Sequence, residues 1–215
     1  MNKKNVVLLG ASGLVGSNVL TELLAHDQVG QVTILVRAPL QLTHPKLTQV
    51  RTDFTDLSAL DSLGPVDALF CCIGTTRKKT PNLTEYKAID YGITMAVATH
   101  AKAHGCKEIH LVSSVGANPK SSNFYLKIKG EVEEGIQALG IERCFIYRPS
   151  MLIGARNESR PAEKLGQLLT PLFDVFTFGG KYHSIKAGVL ASAMCTFPQH
   201  PGISILHYRE IIALI

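Results

Sequence analysis

A single α/β domain, built on a doubly wound parallel sheet with helices on both faces, is the fold class that this sequence predicts. Three observations carry it. Short apolar runs alternate along the chain with segments of helical periodicity, the rhythm of repeated βαβ units. Several of those runs are continuously apolar, as strands covered on both faces must be. The length of 215 residues, with 46% hydrophobic and 18% charged residues, suits one well-buried domain and is short for two.

The first unit is the clearest. Asn5-Val6-Val7-Leu8-Leu9 reads as a buried strand, Gly10-Ala11-Ser12-Gly13-Leu14-Val15-Gly16 as a glycine turn, and Ser17 to Leu24 as a helix. Gly10 lets the chain leave the strand sharply. Gly13 removes a side chain where a pyrophosphate must approach the backbone, and Gly16 lets the new helix pack closely. The unpaired N–H groups and the helix dipole then face an anion. Glycine-rich strand-to-helix turns also serve structural ends, but after a first buried strand this one is expected to cradle a dinucleotide in a Rossmann-like fold. Two residues separate its first and second glycines, where the commonest fingerprint has one.

Gln31 to Val36 is the second strand, and Arg37 stands at its end. A carboxylate about 20 residues past the glycines accepts hydrogen bonds from the ribose hydroxyls of NAD, whereas an arginine there holds the 2′-phosphate of NADP. No Asp or Glu lies between Gln28 and Arg51, so NADP(H) is the expected cofactor. After Pro39 to Pro45, Leu47 to Arg51 reads as a third strand. Asp53 follows, either at an adenine edge or as the cap of a helix over Leu57 to Leu60.

Val66 to Ile73 is the fourth strand, ending at Gly74-Thr75-Thr76, where a central parallel strand lines the crevice. Its adjacent Cys71 and Cys72 point to opposite faces. One long helix is expected from about Thr84 to Lys102. His100 and His104 sit one turn apart on it, but Ala101 replaces the glutamate of a zinc-hydrolase helix, so both are expected to face solvent and no metal is expected.

Glu108 to Gly116 is the fifth strand, with Ser113 and Ser114 near its end. Tyr125 and Lys129 follow inside a helix that continues through Val132, Ile136 and Leu139. Four residues apart, they share one helix face. A free phenol, with a pKa of about 10, is a poor base at neutral pH, and a fixed positive charge beside it stabilises phenolate. Such a pair exchanges a proton with an alcohol or carbonyl oxygen while a nicotinamide exchanges a hydride, and a serine hydroxyl holds the same oxygen. The chain repeats Tyr-x-x-x-Lys at Tyr182 and Lys186, but that pair follows Gly179-Gly180 and has no strand-end serines beside it.

The remainder carries weaker signals. Pro161 to Phe178 reads as a helix, Gly179 to His183 as a turn, Ile185 to Cys195 as a helix, Ile203 to Leu206 as a strand, followed by a short apolar helix. His183 either touches substrate or is a turn residue. The five cysteines form no C-x-x-C pair, which points to reduced, mostly buried thiols. The net charge of +5 comes from scattered residues apart from Arg77-Lys78-Lys79, a cluster that either approaches a phosphate or is a solvated turn. No nucleic-acid partner is expected. No apolar run reaches membrane-spanning length and Met1 to Lys4 carries no signal-peptide pattern, so a cytoplasmic protein without membrane contact is expected.

These features together resemble a short-chain dehydrogenase/reductase of the atypical type. More narrowly, Ser113-Ser114-Val115-Gly116-Ala117 and Ser121-Ser122-Asn123-Phe124-Tyr125 through Glu133 are similar to the Tat-interacting oxidoreductase-like proteins and their bacterial relatives. Phe145-Ile146-Tyr147-Arg148-Pro149-Ser150 resembles the sixth strand of that group, and the similarity runs from about Asn5 to Leu190. The resemblance implies one domain over residues 1–215 that binds NADPH, with a small substrate-side region within residues 150–215. It makes Tyr125 the proton donor or acceptor, puts Lys129 on the nicotinamide ribose, and gives the active hydroxyl to Ser114 or Ser113. Gly10, Ser12, Gly13, Gly16 and Arg37 would hold phosphates, and Arg148 would lie near the cofactor or substrate end. Leu14, Val15, Asp53, Cys72, Ile73, Gly74 and Thr75 complete the expected cofactor-binding set. Asp90 stands where many members carry an asparagine that helps relay protons through water.

The expected function is an NADP(H)-dependent oxidoreductase acting on a small carbonyl or alcohol, as a monomer or homodimer. A non-catalytic NADPH-binding regulatory or redox-sensing protein is the competing reading. An epimerase or lyase that uses bound nicotinamide transiently is a third, since fold alone does not choose among them.

Overall fold

The computed structural model describes residues 3–55, 61, 64–154, 180 and 182–215. Strand β1 (Lys4–Leu9) leads through the glycine turn into α1 (Leu14–Ala25). Next come β2 (Val29–Val36), β3 (Leu47–Arg51) and β4 (Ala68–Cys71). Helix α2 (Leu83–Lys87) runs without a break into a π-helical segment (Ala88–Ile93) and then α3 (Thr94–Ala103). Strand β5 (Glu108–Val112), helix α4 (Phe124–Ala138) and β6 (Arg143–Tyr147) follow. Short strands β7 (Leu152–Ile153) and β8 (Ile185–Lys186), helix α5 (Ala187–Met194), β9 (Gly202–Leu206) and α6 (Tyr208–Ile212) close the chain.

Seven strands form one sheet in the order β3-β2-β1-β4-β5-β6-β9, each neighbouring pair parallel. The order runs outward in both directions from β1 and β4, which makes their junction the topological switch point. Because successive side chains alternate across a strand, each strand feeds two cores. Val6 and Leu8, Ala68 and Phe70, and Phe145 and Tyr147 face α1 and α5 on one side. Val7 and Leu9, Leu69 and Cys71, and Cys144 and Ile146 meet α3 and α4 on the other. The doubly wound class read from the apolar runs is therefore the observed one.

Three differences from the expected elements have physical causes. The single helix over Thr84 to Lys102 carries a π-helical segment at Ala88–Ile93, a local widening that turns Asp90 inward to 2% exposure. The β5 ladder stops at Val112, since Ser113 and Val115 instead donate their N–H groups to the carbonyls of Tyr147 and Pro149 beyond the regular pairing. Ile185 and Lys186 open no helix but pair in parallel with Leu152 and Ile153, a long-range contact with no local signature. The helices expected over Leu57 to Leu60 and Pro161 to Phe178 lie outside the described residues, as do Gly179 and Lys181 of the expected turn.

Candidate functional site

All seven strands run the same way, so their carboxyl ends share one edge of the sheet. The Gly10 turn, Arg37, Asp53, the segment Cys72 to Thr75, Ser113 and Ser114, and Arg148 all follow strand ends there. Gly10 takes φ of +82°, and a Cβ built on it would lie 2.6 Å from the Cys72 carbonyl carbon. The first strand thus leaves the sheet in contact with the end of β4, a path open to glycine alone. At Gly16 a Cβ would lie 2.1 Å from the Gly10 carbonyl oxygen, so the third glycine serves the contact between helix and turn.

Gly13 caps α1 without any side-chain hydrogen bond, and the first turn carries no acidic residue. Ser12 and Gly13 are exposed. The first N–H groups of the helix are therefore open to an anion, and the cradle fits a dinucleotide pyrophosphate. Leu14 and Val15 pack inward, and Leu14 abuts Gly154, where a Cβ would sit 2.7 Å from its Cδ1.

Arg37 is exposed beyond β2 and makes no hydrogen bond or ion pair with any described residue. The strand register sets Arg51 of β3 opposite Val36, which brings a second exposed arginine to the same corner. Asp53 is exposed, and its Oδ1 accepts from the Thr55 N–H at 2.9 Å and the Thr55 hydroxyl at 2.7 Å, so it shapes the turn after β3. The helix it was expected to cap is outside the described residues.

The loop after β4 is held from several sides. The Thr75 N–H donates to Asp90 Oδ1 at 2.7 Å, Thr75 Oγ1 meets Thr80 Oγ1 at 2.8 Å, and the Tyr86 hydroxyl donates to the Thr75 carbonyl at 3.0 Å. Gly74 faces the charged floor of the site. A Cβ there would lie 3.6 Å from Lys129 Nζ and 3.7 Å from Asp90 Oδ2. Asp90 Oδ2 and Lys129 Nζ are themselves 3.5 Å apart, with Lys129 only 7% exposed. Burial pushes the Asp90 carboxyl up, against the opposing pull of the Lys129 charge and the Thr75 N–H.

Asn123 caps α4, its Oδ1 accepting from the Leu126 N–H at 3.2 Å, so the helix begins at Phe124 and sets Tyr125 in its first turn. Tyr125 is 39% exposed, one turn before the buried Lys129 on the same helix. Tyr86 packs edge-on against Phe124 at 5.4 Å, and the Arg77 guanidinium lies 5.7 Å from the same ring. The other Tyr-x-x-x-Lys pair has no shared helix face, because Tyr182 lies in a turn and Lys186 in β8.

The two serines have different surroundings. Ser114 is half-buried, and among the described residues its hydroxyl makes only a 3.3 Å bond to the neighbouring Val115 carbonyl. Ser113 is 4% exposed and donates to Glu133 Oε1. Arg148 grips the same carboxylate in a fork, Nε to Oε1 at 2.9 Å and Nη2 to Oε2 at 2.5 Å. Two residues assigned to reactants are thus committed to a buried Glu133, because a carboxylate at 2% exposure needs partners. Glu133 was not singled out, although Lys129, Val132, Glu133 and Ile136 recur at core-face spacing, which places a carboxylate inside the helix's buried stripe.

All five cysteines are free, four of them buried; Cys71 joins one core and Cys72 the other. Burial raises the Cys72 and Cys144 thiols to about 12. His104 is exposed, but His100 is half-buried and stacks on it at 3.9 Å, so only one of the pair faces solvent fully. His183 packs on the Tyr208 ring at 4.4 Å. Arg77, Lys78 and Lys79 are exposed. Among the described residues there is no group of three or more potential metal ligands, and no helix is long and apolar enough to cross a membrane.

Comparison with known proteins agrees with this geometry. Residues 10–161 match the model of a family described as NAD(P)H-binding. Protein HTATIP2 of Rattus norvegicus is 37% identical over 171 residues, covering 78% of this chain and 70% of that protein. The mitochondrial protein fmp52 of Emericella nidulans is 37% identical over 191 residues, covering 86% and 80%. Among solved structures, the UDP-N-acetylglucosamine 4-epimerase of Methanobrevibacter ruminantium M1 aligns with a TM-score of 0.72 at 18% identity, over 96% of this chain and 77% of that one. That likeness is one of fold. With its glycine cradle at the switch point of a parallel sheet and these relatives spanning most of its length, the chain belongs to the NAD(P)H-binding, oxidoreductase-like family of Rossmann proteins.

Proposed function

We propose that the protein is an NADP(H)-dependent oxidoreductase acting on a small carbonyl or alcohol, with Tyr125 moving the proton and Lys129 fixed beside it. One observation carries the reading: Lys129, 7% exposed, lies directly under Gly74 at the cofactor edge, one helical turn from the exposed Tyr125. A buried, carboxylate-paired ammonium at the end of a dinucleotide crevice is the kind of group that active sites use. When bound, the nicotinamide supplies or takes the hydride. Tyr125 donates a proton to the substrate oxygen in reduction and accepts it in oxidation, with the Lys129 ammonium one helical turn away on the same helix. Ser114 supplies the second hydroxyl, since Ser113 is engaged by Glu133. Arg148 then acts by anchoring Glu133 at the end of β6.

The preference for NADP(H) over NAD(H) rests on Arg37 and Arg51, two exposed guanidiniums without described ion-pair partners at the strand ends where a 2′-phosphate would lie. The reading takes residues 1–215 as one domain, a monomer or homodimer, with a small substrate-side region within residues 150–215. It keeps the protein in the cytoplasm, although the fungal relatives are named mitochondrial.

The test is NADPH oxidation against a panel of small carbonyls by wild type and Tyr125→Phe. Loss of the proton donor is expected to lower kcat/KM by about 10²–10⁴-fold while leaving NADPH affinity nearly unchanged. A wild type that binds NADPH tightly yet turns over no carbonyl would favour the regulatory reading. For the cofactor, fluorescence titration of Arg37→Ala is expected to weaken NADPH roughly tenfold or more and to leave NADH almost unaffected. Equal losses for both would remove the 2′-phosphate assignment.

A further inference from the structure

We infer that Asp90 is a positioning residue of this site: its buried carboxylate mounts the Lys129 ammonium and, as its ionised partner, offsets the positive charge beside Tyr125. The inference rests on the Tyr125–Lys129 reading above and adds the residue that sets the lysine in place.

Asp90 divides its two oxygens between two elements. Oδ1 takes the Thr75 N–H at 2.7 Å and so pins the loop after β4. Oδ2 is buried, has no hydrogen-bond partner among the described residues, and lies 3.5 Å from Lys129 Nζ on α4. That separation is an ion contact rather than a good hydrogen bond. The residue is aimed inward by the π-helical segment, whose end is tied by the Thr94 hydroxyl donating to the Asp90 carbonyl at 2.8 Å. The loop bond alone would not require a charge, because the side-chain oxygen of an asparagine would accept the Thr75 N–H equally well. What only a carboxylate adds is the charge facing Lys129.

The other groups around this pair leave it as the buried charge centre. Cys71 at the end of β4 and Cys72 just after it face Lys129, and Tyr86 of α2 faces Asp90, with Tyr125 of α4 and Arg77 of the intervening loop beyond Tyr86. Burial raises the Cys71, Cys72 and Tyr86 groups, Cys72 to about 12, so these three stay neutral through the physiological range. Arg77 is at the exposed edge. Burial also raises the Asp90 carboxyl itself, so an ionised Asp90 lowers stability at neutral pH, and Lys129 is the group that makes that ionisation tolerable.

The pair is tested first without cofactor or substrate, by thermal unfolding of wild type, Asp90→Asn, Lys129→Met and the double variant. Lys129→Met leaves a lone buried carboxylate and is expected to lower Tm by roughly 5–10 °C at pH 7. The deficit is expected to shrink as the pH falls and Asp90 takes up a proton, and adding Asp90→Asn should restore most of it at pH 7. Additive losses in the double variant would overturn the inference. The second readout is the pH profile of carbonyl reduction by Asp90→Asn. With the Lys129 charge no longer offset, the alkaline limb of kcat/KM is expected to move toward acid by about one pH unit. An unmoved limb with merely lower activity would reduce Asp90 to a loop anchor. If Tyr125→Phe kept full activity while the stability cycle still coupled, the catalytic reading would fail and the Asp90–Lys129 mount would stand.

Discussion

At Glu108 a carboxylate with no exposed side-chain surface draws together groups from three strands. Its Oε2 lies 2.7 Å from Lys4 Nζ and 3.3 Å from Arg143 Nε, and its Oε1 is 2.8 Å from His110 Nε2. Burial keeps His110 neutral, with Nε2–H donating to Glu108 and Nδ1 accepting from the Tyr147 hydroxyl at 3.0 Å. Burial alone would raise the Glu108 carboxyl, but hydrogen bonds from His110 and Lys4 outweigh it and hold it at about 2, against an ordinary 4.5. A lowered carboxylate contributes stability that is fully present above about 4.5 and is lost as the pH falls toward about 2. The shift corresponds to about 3 kcal/mol as an upper figure. Glu108→Gln is therefore expected to lose about that much at pH 7 and to have a flatter acid limb over that interval, measured by urea unfolding at successive pH values. Lys4, Glu108 and Arg143 stand at the amino-terminal starts of β1, β5 and β6, opposite the edge that carries the crevice, so cofactor affinity is expected to be unchanged.

Among the elements, α1 and its turn bear the tightest constraint. The Gly16 Cα faces backbone rather than a flexible side chain, so a methyl group 2.1 Å from the Gly10 carbonyl oxygen cannot be accommodated by a rotamer change. Gly16→Ala is expected to cost about 3 kcal/mol in denaturant unfolding and to weaken NADPH by at least tenfold, because the turn must shift to admit it. A variant with wild-type stability would show that α1 can slide along the sheet. Helix α2 is set by Asn82, whose Oδ1 accepts from the Thr84 and Glu85 N–H groups at 2.9 and 3.1 Å. The helical period was readable across α2 and α3, whereas the widening between them was not. A π-helical segment has no compositional mark of its own, and only the inward Asp90 reveals why the helix departs from its regular pitch there.

At the scale of the whole molecule, the sheet order puts the crevice where β1 and β4 part, and every residue of the proposed site stands at a strand end or on the helices that follow. That placement was legible beforehand, since a parallel sheet sends all its carboxyl ends to one edge. So were the glycine turn after β1, the position of Arg37 at the end of β2 and the shared helix of Tyr125 and Lys129, all of which depend on residues within a few positions of each other. What a glycine turn needs, and which residues share a helix face, follow from local backbone geometry. Other relations arose only when distant segments met. Glu108 finds Lys4 across 104 positions, Ser113 and Arg148 are drawn to Glu133, and Asp90 meets both Thr75 and Lys129. A buried charge takes whichever partner the packing brings within reach, and linear spacing carries no trace of that choice. Local periodicity thus decided the fold and the cofactor cradle, while tertiary packing decided which charged groups are free to act and which hold each other in place.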